Sequence, residues 1–228
     1  MLADHSALDT LRKRQSLIRD RIRGVVHQAA NGVYLHGRAG VSKTYMVRTT
    51  LESLCQRYAY SNGHLTPVGL FELIETNPHS VIVLDDVTTI FGVPKALQLL
   101  LAALGTPHDG SRTRTVRYKT ATTDKVAYFE GSIIAISNLS LGEHSNQVLQ
   151  ALQDRVHVMA YEPTDDEVEA QREPSGGTAT RLSDAPGGNP PGHALHYGCS
   201  SSRASRQPAV SAQRTAADSR IAMRLHSG

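Results

Sequence analysis

The chain has 228 residues, enough for one sizeable α/β domain, and its 39% hydrophobic and 20% charged content is typical of globular proteins. A formal net charge of +3 permits a nucleic-acid partner without requiring one. The two cysteines are too few for a disulfide scaffold or a zinc site, so we expect a reducing, cytoplasmic location. The longest apolar stretch, residues 96–104, is about half of the roughly 20 residues that a membrane helix needs, so we expect no membrane segment.

Helical and strand patterns alternate along the first three quarters of the chain. The predicted helices cover residues 8–28, 43–58, 67–75, 93–104 and 165–172. The third has Thr66 as its N-cap and Pro67 at its first helical position. The predicted strands cover residues 33–36, 81–84 and 132–137, with a hairpin over residues 115–129. The runs at 81–84 and 132–137 are continuously apolar, as in central parallel strands that are covered on both faces. We therefore predict an α/β fold with a mostly parallel sheet between helical layers.

The last quarter of the chain has a different composition. From about residue 174 onward it is rich in Gly, Pro, Ser, Ala and Arg and has no sustained period. Such a segment buries too little apolar surface to offset the entropy cost of ordering it. We predict a basic helical segment over residues 1–30, a core over residues 31–162, and a residual helical turn followed by a disordered tail over residues 163–228.

A glycine-bearing loop joins the first predicted strand to the helix after it. The loop nearly fits the Walker A pattern, in which backbone N–H groups and a helix N-terminus surround phosphates. The eight residues that would bind nucleotide are Gly37, Arg38, Ala39, Gly40, Val41, Ser42, Lys43 and Thr44. Lys43 would reach the β- and γ-phosphates with an ammonium that faces solvent until they bind, and the Thr44 hydroxyl would hold Mg²⁺. The alternative is an ordinary strand–turn–helix with a solvated lysine.

One residue of this loop departs from the pattern. Ser42 stands where the last glycine is expected. If the position requires positive φ, serine adds strain of about 1–3 kcal/mol and weakens nucleotide binding.

Polar residues follow two of the buried strands. Asp85 and Asp86 close the strand at 81–84 in a Walker B arrangement, so that Asp85 would coordinate Mg²⁺ and Asp86 would polarise an attacking water. Asn138 follows the strand at 132–137, where a doubly wound sheet presents its ligands, and could orient water against the γ-phosphate. Carboxylates that cap a helix, and an asparagine that forms a turn, are the alternatives.

The order of these three segments resembles Walker A, Walker B and sensor 1 of AAA+ ATPases. The resemblance implies a P-loop NTPase fold with three layers, ATP and Mg²⁺ as ligands, and ATP hydrolysis. It further implies that Arg155, after the third segment, stabilises the transferred phosphoryl group on a neighbouring subunit of a homo-oligomeric ring or filament. A surface ion pair of Arg155 with Asp154 or Asp165 is the alternative. AAA+ members usually carry Asp-Glu at Walker B and a helical lid after the core, whereas this chain has Asp-Asp and no lid-like composition after Arg172.

Cations cluster in the predicted hairpin and in the N-terminal helix. The hairpin cations are Arg112, Arg114, Arg117, Lys119 and Lys125. Several AAA+ branches insert at this place a hairpin that touches DNA or polypeptide, and these cations could follow the phosphates of DNA. They could instead be solvated charges that protect a sheet edge. We therefore expect an ATP-binding and ATP-hydrolysing protein that acts on DNA or on a protein. The alternatives are a non-hydrolysing, nucleotide-gated binding module and a DNA-binding adaptor with a degenerate P-loop.

Overall fold

The computed structural model describes residues 2–107, 109–141, 147–172 and 194–196. The helices are α1 (Leu2–Val26), α2 (Lys43–Ser53), α3 (Pro67–Thr76), α4 (Pro94–Leu104), α5 (Gln147–Gln153) and α6 (Asp165–Arg172), with a 3-10 turn at Thr88–Gly92. The strands are β1 (Gly32–His36), β2 (Tyr58–Asn62), β3 (Val81–Asp85), β4 (Arg114–Lys119), β5 (Asp124–Phe129), β6 (Ser132–Ser137), β7 (His157–Ala160) and β8 (Ala194–His196).

Six of the strands form one sheet in the order β7-β1-β6-β3-β2-β8. The first five are parallel, and β8 pairs antiparallel with β2. In the register, His36 of β1 lies beside Ser137 of β6, and Ile136 lies beside Asp85 of β3. Because parallel strands end at the same edge, the residues that follow β1, β3 and β6 are brought together.

Helices cover both faces of this sheet. On one face α1 and α2 pack over a cluster that includes Val33, Leu35, Val83 and Ile134. The opposite face, with Ile82, packs against α3, α4 and α5. Successive residues of the strands thus enter different cores, which is why the central strands carry no polar alternation. The result is a sandwich of three layers, and the predicted fold class, a P-loop NTPase type of α/β fold with a mostly parallel sheet, is confirmed.

Two local predictions, the capped start of α3 and the hairpin, are also confirmed. Thr66 caps α3 by accepting a hydrogen bond from the Gly69 N–H at 3.1 Å, and Pro67 occupies the first helical position. The hairpin forms from β4 and β5, with the Thr120 N–H donating to the Thr123 carbonyl at 2.7 Å in its turn. Among the described helices, none combines the length and the apolar character that crossing a membrane requires.

The helix predicted over residues 43–58 is shorter than expected, and the strand after it was missed. α2 ends at Ser53, and Cys55 takes a left-handed conformation with φ 52°. There the Gln56 N–H donates back to the Leu51 carbonyl at 3.0 Å, a closure typical of helix C-termini. The chain then enters β2, which pairs with β3. The prediction was wrong here because this turn is made without glycine or proline.

The predicted disordered tail lies largely outside the described residues. Its described part is β8, three residues that pair with the edge of β2. At these three positions the structure differs from the expectation, because main-chain pairing with an exposed strand edge does not depend on an apolar side-chain pattern.

Candidate nucleotide-binding site

A cleft of about 660 Å³ lies at the carboxyl ends of β1, β3 and β6. It is lined by residues 39–45, 62–63, 85–86 and 136–138. The cleft therefore brings together five site residues that were predicted from the sequence: Lys43, Thr44, Asp85, Asp86 and Asn138. A volume of this size is in the range of small-molecule sites.

The loop between β1 and α2 is held by both its backbone and one apolar side chain. Gly37 has φ 152°, and a Cβ at this position would lie 2.0 Å from the Tyr161 carbonyl oxygen, so only glycine fits. Val41 is buried in the core beneath α2, which anchors the loop. Arg38 is directed away from the cleft and forms an ion pair with Asp165 at 2.6 Å. Gly37 and Arg38 therefore shape the loop without lining the cleft.

Ser42 adopts the backbone conformation that the Walker A pattern assigns to glycine. Its φ and ψ are 65° and 25°, and its side chain forms no capping hydrogen bond with α2. Left-handed backbone in a non-glycine residue costs roughly 1–2 kcal/mol. The departure from the pattern is thus confined to the side chain, since the backbone follows the conformation that glycine normally supplies.

Lys43 is buried, with 6% of its surface exposed, so the expectation of a solvent-facing ammonium was wrong. Its Nζ donates to the Gly37 and Arg38 carbonyl oxygens, both at 2.7 Å, and to Asn138 Oδ1 at 3.0 Å. The ammonium has three donors, and in this structure all three have acceptors. Burial lowers the pKa of Lys43, while the carboxylates of Asp85 and Asp86 act in the opposite direction.

Two hydroxyl groups hold the Asp85 carboxylate. Thr44 Oγ1 donates to Asp85 and lies 2.9 Å from Oδ2 and 3.1 Å from Oδ1. Tyr60 of β2 donates its hydroxyl to Oδ2 at 2.6 Å. Sequence reasoning missed Tyr60 because β2 was not predicted, and an isolated tyrosine after a helix carries no motif that would identify it.

Asp86 leaves β3 in a left-handed conformation with φ 53°, and its N–H donates to the Ile136 carbonyl at 2.9 Å. Its side chain is exposed and faces the cleft. The 3-10 turn that follows has Val87 as its N-cap residue and no side-chain cap. Neither aspartate therefore caps this turn, which removes the helix-capping alternative for the acidic pair.

The oxygen atoms of Thr44 and Asp85 are the donor set that could hold a divalent cation. A hydroxyl and a carboxylate suit Mg²⁺, which is commonly held in nucleotide sites by one or two carboxylates together with substrate phosphates and water. Among the described residues, no group of three or more His, Cys, Asp or Glu side chains could form a metal cage. The residues present therefore fit a magnesium ion that arrives with a nucleotide.

Arg155 lies outside the cleft. It follows α5, is exposed, and its Nη1 donates to the Ala151 carbonyl at 2.7 Å. It lines a separate cavity of about 440 Å³ at the amino ends of β1, β6 and β7, the end of the sheet opposite to the cleft. Arg112 and Arg114 line the same cavity. Among the described residues neither Asp154 nor Asp165 forms an ion pair with it, and Asp165 pairs with Arg38 instead.

The hairpin cations are largely engaged within the hairpin. Arg117 and Lys119 both contact Asp124, Arg117 through two hydrogen bonds. Arg114 is 5% exposed, lies over the Phe129 ring, and donates to the Phe129 and Gly131 carbonyls. Burial lowers the pKa of Arg114 to about 10, and the positive charge of Arg112 contributes to this decrease. These contacts fit a packed hairpin more closely than a row of free cations.

The chain has a similar solved structure but no matching family profile. No protein-family profile matches the chain. No curated protein matches it either. Among solved structures, Cdc6p from Pyrobaculum aerophilum is similar, with 15% sequence identity and a TM-score of 0.41. That similarity covers 67% of this chain and 45% of the Cdc6p chain, so the chain spans less than half of its length. The fold assignment therefore depends on the sheet order and the cleft described above, which agree with the AAA+-like P-loop architecture that the three motifs implied.

Proposed function

We propose that this protein binds ATP with Mg²⁺ in the cleft and hydrolyses it to ADP and phosphate. One observation carries the proposal: the Lys43 ammonium lies between the loop carbonyls and Asn138, one residue before the Thr44–Asp85 pair. A cation, a metal-binding oxygen pair and a helix N-terminus thus meet in one cleft. This is the combination that phosphate-transferring sites use.

Binding would replace contacts that the loop now makes with itself. The phosphates would lie at the N-terminus of α2, where backbone N–H groups without a partner inside the helix and the helix dipole favour negative charge. Lys43 exchanges one or more of its carbonyl acceptors for phosphate oxygens, a stronger pairing because both partners are charged. Thr44 and Asp85 would hold Mg²⁺, which would supply positive charge against the phosphate oxygens.

Hydrolysis requires a water molecule opposite the bond that breaks. Asp86 is placed beside Asp85 and is exposed to the cleft, so its carboxylate accepts a hydrogen bond from that water and orients it. The water oxygen bonds to the γ-phosphorus while the bond to the bridging oxygen breaks and ADP leaves. The proton of the water passes to solvent or to the released phosphate. Asn138 contributes by positioning Lys43 and by contact with the γ-phosphate.

Arg155 would act on the nucleotide of a second copy of the chain. Its position at the opposite end of the sheet keeps it away from its own cleft, and it has no carboxylate partner among the described residues. We propose a homo-oligomer, a ring or a filament, in which this guanidinium completes the neighbouring site.

A second candidate is a module that binds nucleotide without hydrolysing it. Ser42 in a left-handed conformation and a Lys43 that is already fully paired both favour weak or slow turnover. DNA as the target of either activity rests on the cations of the hairpin and α1. Their pairing within the hairpin makes this the weaker part of the proposal.

The proposal is tested by calorimetric titration of ATP with Mg²⁺ into wild type, Lys43→Ala and Lys95→Ala. Lys95 is an exposed lysine of α4 that lies over the Tyr118 ring, and it serves as the matched control. We expect wild type and Lys95→Ala to bind equally and Lys43→Ala to lose binding. Equal affinity in all three proteins would overturn the assignment. Thermal unfolding of Lys43→Ala checks that the variant still folds. Three acceptor oxygens lose their donor, and each such loss lowers the free energy of unfolding by up to about 1–3 kcal/mol.

A further inference from the structure

Tyr60 contacts the acidic pair from a strand that none of the three motifs includes. It lies in β2, paired with Val83 of the neighbouring β3, and its hydroxyl reaches Asp85 Oδ2 at 2.6 Å. This is within the short range typical of a hydroxyl that donates to a charged carboxylate. The Thr44 hydroxyl approaches the same carboxylate from α2 at 2.9 Å and 3.1 Å. Hydroxyl groups from two different elements, β2 and α2, therefore hold the Asp85 side chain.

The two hydroxyl groups differ in how they constrain the orientation of the Asp85 carboxylate. Thr44 lies at nearly equal distances from both oxygens, so by itself it does not distinguish them. Tyr60 bonds to Oδ2 alone. The torsion that turns an aspartate carboxylate is broad, so a donor specific to one oxygen fixes an orientation that the side chain would not otherwise keep. Oδ1 is left with the single, longer Thr44 contact and keeps free acceptor capacity.

A tyrosine hydroxyl can donate one hydrogen bond, and in Tyr60 this donor is directed at Asp85 Oδ2.

We propose that Tyr60 is a positioning residue that pre-orients Asp85 for Mg²⁺. This inference rests on the proposed function, because it concerns the metal that accompanies a nucleotide. Residues that hydrogen-bond to a metal ligand typically change metal affinity by about 10–100-fold when they are removed. Tyr60 affects the metal through Asp85 and does not touch it.

Tyr60→Phe tests the inference, because it keeps the ring in β2 and removes only the hydroxyl. Tyr161→Phe is the matched control: Tyr161 is buried where Tyr60 is half-buried, and its hydroxyl accepts a hydrogen bond from Gln15 at 2.9 Å. ATP affinity is measured by calorimetry in EDTA and then across a series of Mg²⁺ concentrations.

For Tyr60→Phe we expect the Mg²⁺ concentration at half effect to rise on the order of 10-fold, while the affinity for ATP in EDTA stays unchanged. High Mg²⁺ should restore the affinity of wild type, and Tyr161→Phe should show the Mg²⁺ dependence of wild type. A Tyr60→Phe protein that unfolds at lower temperature yet keeps the Mg²⁺ dependence of wild type has lost only stability, and this result would overturn the inference. Absence of Mg²⁺-dependent ATP binding in wild type would instead overturn the proposed function.

Discussion

Lys43 and Asn138 are 95 positions apart in the chain, yet the Lys43 ammonium donates directly to Asn138 Oδ1 at 3.0 Å. The contact joins the loop after β1 to the end of β6, the strand paired beside it. Because the other two acceptors of Lys43 are carbonyls of its own loop, Asn138 is the one acceptor that links the lysine to another strand. A phosphate that enters the cleft must compete with this contact or share it.

The first prediction separates the two effects of Asn138. Asn138→Ala removes one neutral acceptor from Lys43 and should leave ATP affinity within about threefold of wild type. Turnover should fall on the order of 10²-fold, the usual loss when one polar group that faces developing charge is removed. Asn138→Asp should weaken binding, because a carboxylate holds Lys43 more tightly and repels phosphate. Calorimetry and phosphate release measure the two quantities. If Asn138→Ala loses binding as severely as Asn138→Asp, the assignment of Asn138 to turnover is wrong.

Much of this site could be predicted from sequence because each part follows a buried strand. Asp85 and Asn138 stand at or just beyond the end of an apolar run, and Lys43 follows the loop after another buried strand. Parallel pairing brings such strand ends together. The burial of Lys43 could not be predicted, since it depends on carbonyl directions within a loop. Tyr60 could not be predicted either, because its role depends on the register of β2 against β3. These features arise from backbone geometry that no residue pattern encodes.

The second prediction concerns the strained position in the loop. Ser42 has φ 65° and its hydroxyl makes no cap, so Ser42→Gly should relieve about 1 kcal/mol of strain and preserve or increase ATP affinity. Gly40→Ser is the reciprocal control: Gly40 has φ 80° with open space around its Cβ position, so the new side chain adds strain without a clash. That variant should bind ATP less tightly. A clear loss of affinity in Ser42→Gly would show that the serine hydroxyl is itself a ligand.

The third prediction concerns the acidic residue that faces the cleft. Asp86→Asn should keep ATP affinity and reduce phosphate release on the order of 10²-fold or more, because the amide is a poorer acceptor for the attacking water. Asparagine tolerates the left-handed φ of 53° at this position, so the backbone should be retained. Single-turnover phosphate release with saturating ATP provides the measurement. Unchanged release would favour the non-hydrolysing alternative, in which Asp86 has no part in turnover.

The fourth prediction follows from the lowered pKa of Lys43. The charged ammonium binds phosphate, so ATP affinity should fall as the pH rises through this pKa, which lies below the ordinary 10.5. The effect on stability has the opposite sign: between the two pKa values the unfolded chain binds more protons, so the contribution of Lys43 to the free energy of unfolding increases with pH. Asp86→Asn removes an opposing charge and should move the loss of affinity to lower pH. Calorimetry across alkaline pH measures both the ATP affinity and the stability. Identical affinity profiles in wild type and Asp86→Asn would contradict the coupling between Asp86 and Lys43.

The last prediction concerns assembly through Arg155. The guanidinium projects at the end of the sheet opposite to the cleft, so it can reach only the nucleotide of another copy. A monomer should then bind ATP and turn over slowly, because such an arginine contributes about 10³–10⁵ in rate. Specific activity of wild type should therefore climb with protein concentration.

Arg155→Ala should bind ATP as wild type does and lose this concentration dependence. A mixture of Arg155→Ala with Lys43→Ala gives the sharpest comparison, since each variant lacks what the other supplies. Where an intact Arg155 from the Lys43→Ala chain meets an intact Lys43 in the other chain, one competent site forms, and activity should reappear on mixing. The matched control is Arg112→Ala, which lines the same cavity but donates to the Gln28 carbonyl. Mixed variants that stay inactive, together with wild-type activity that is independent of concentration, would show that Arg155 does not act between chains.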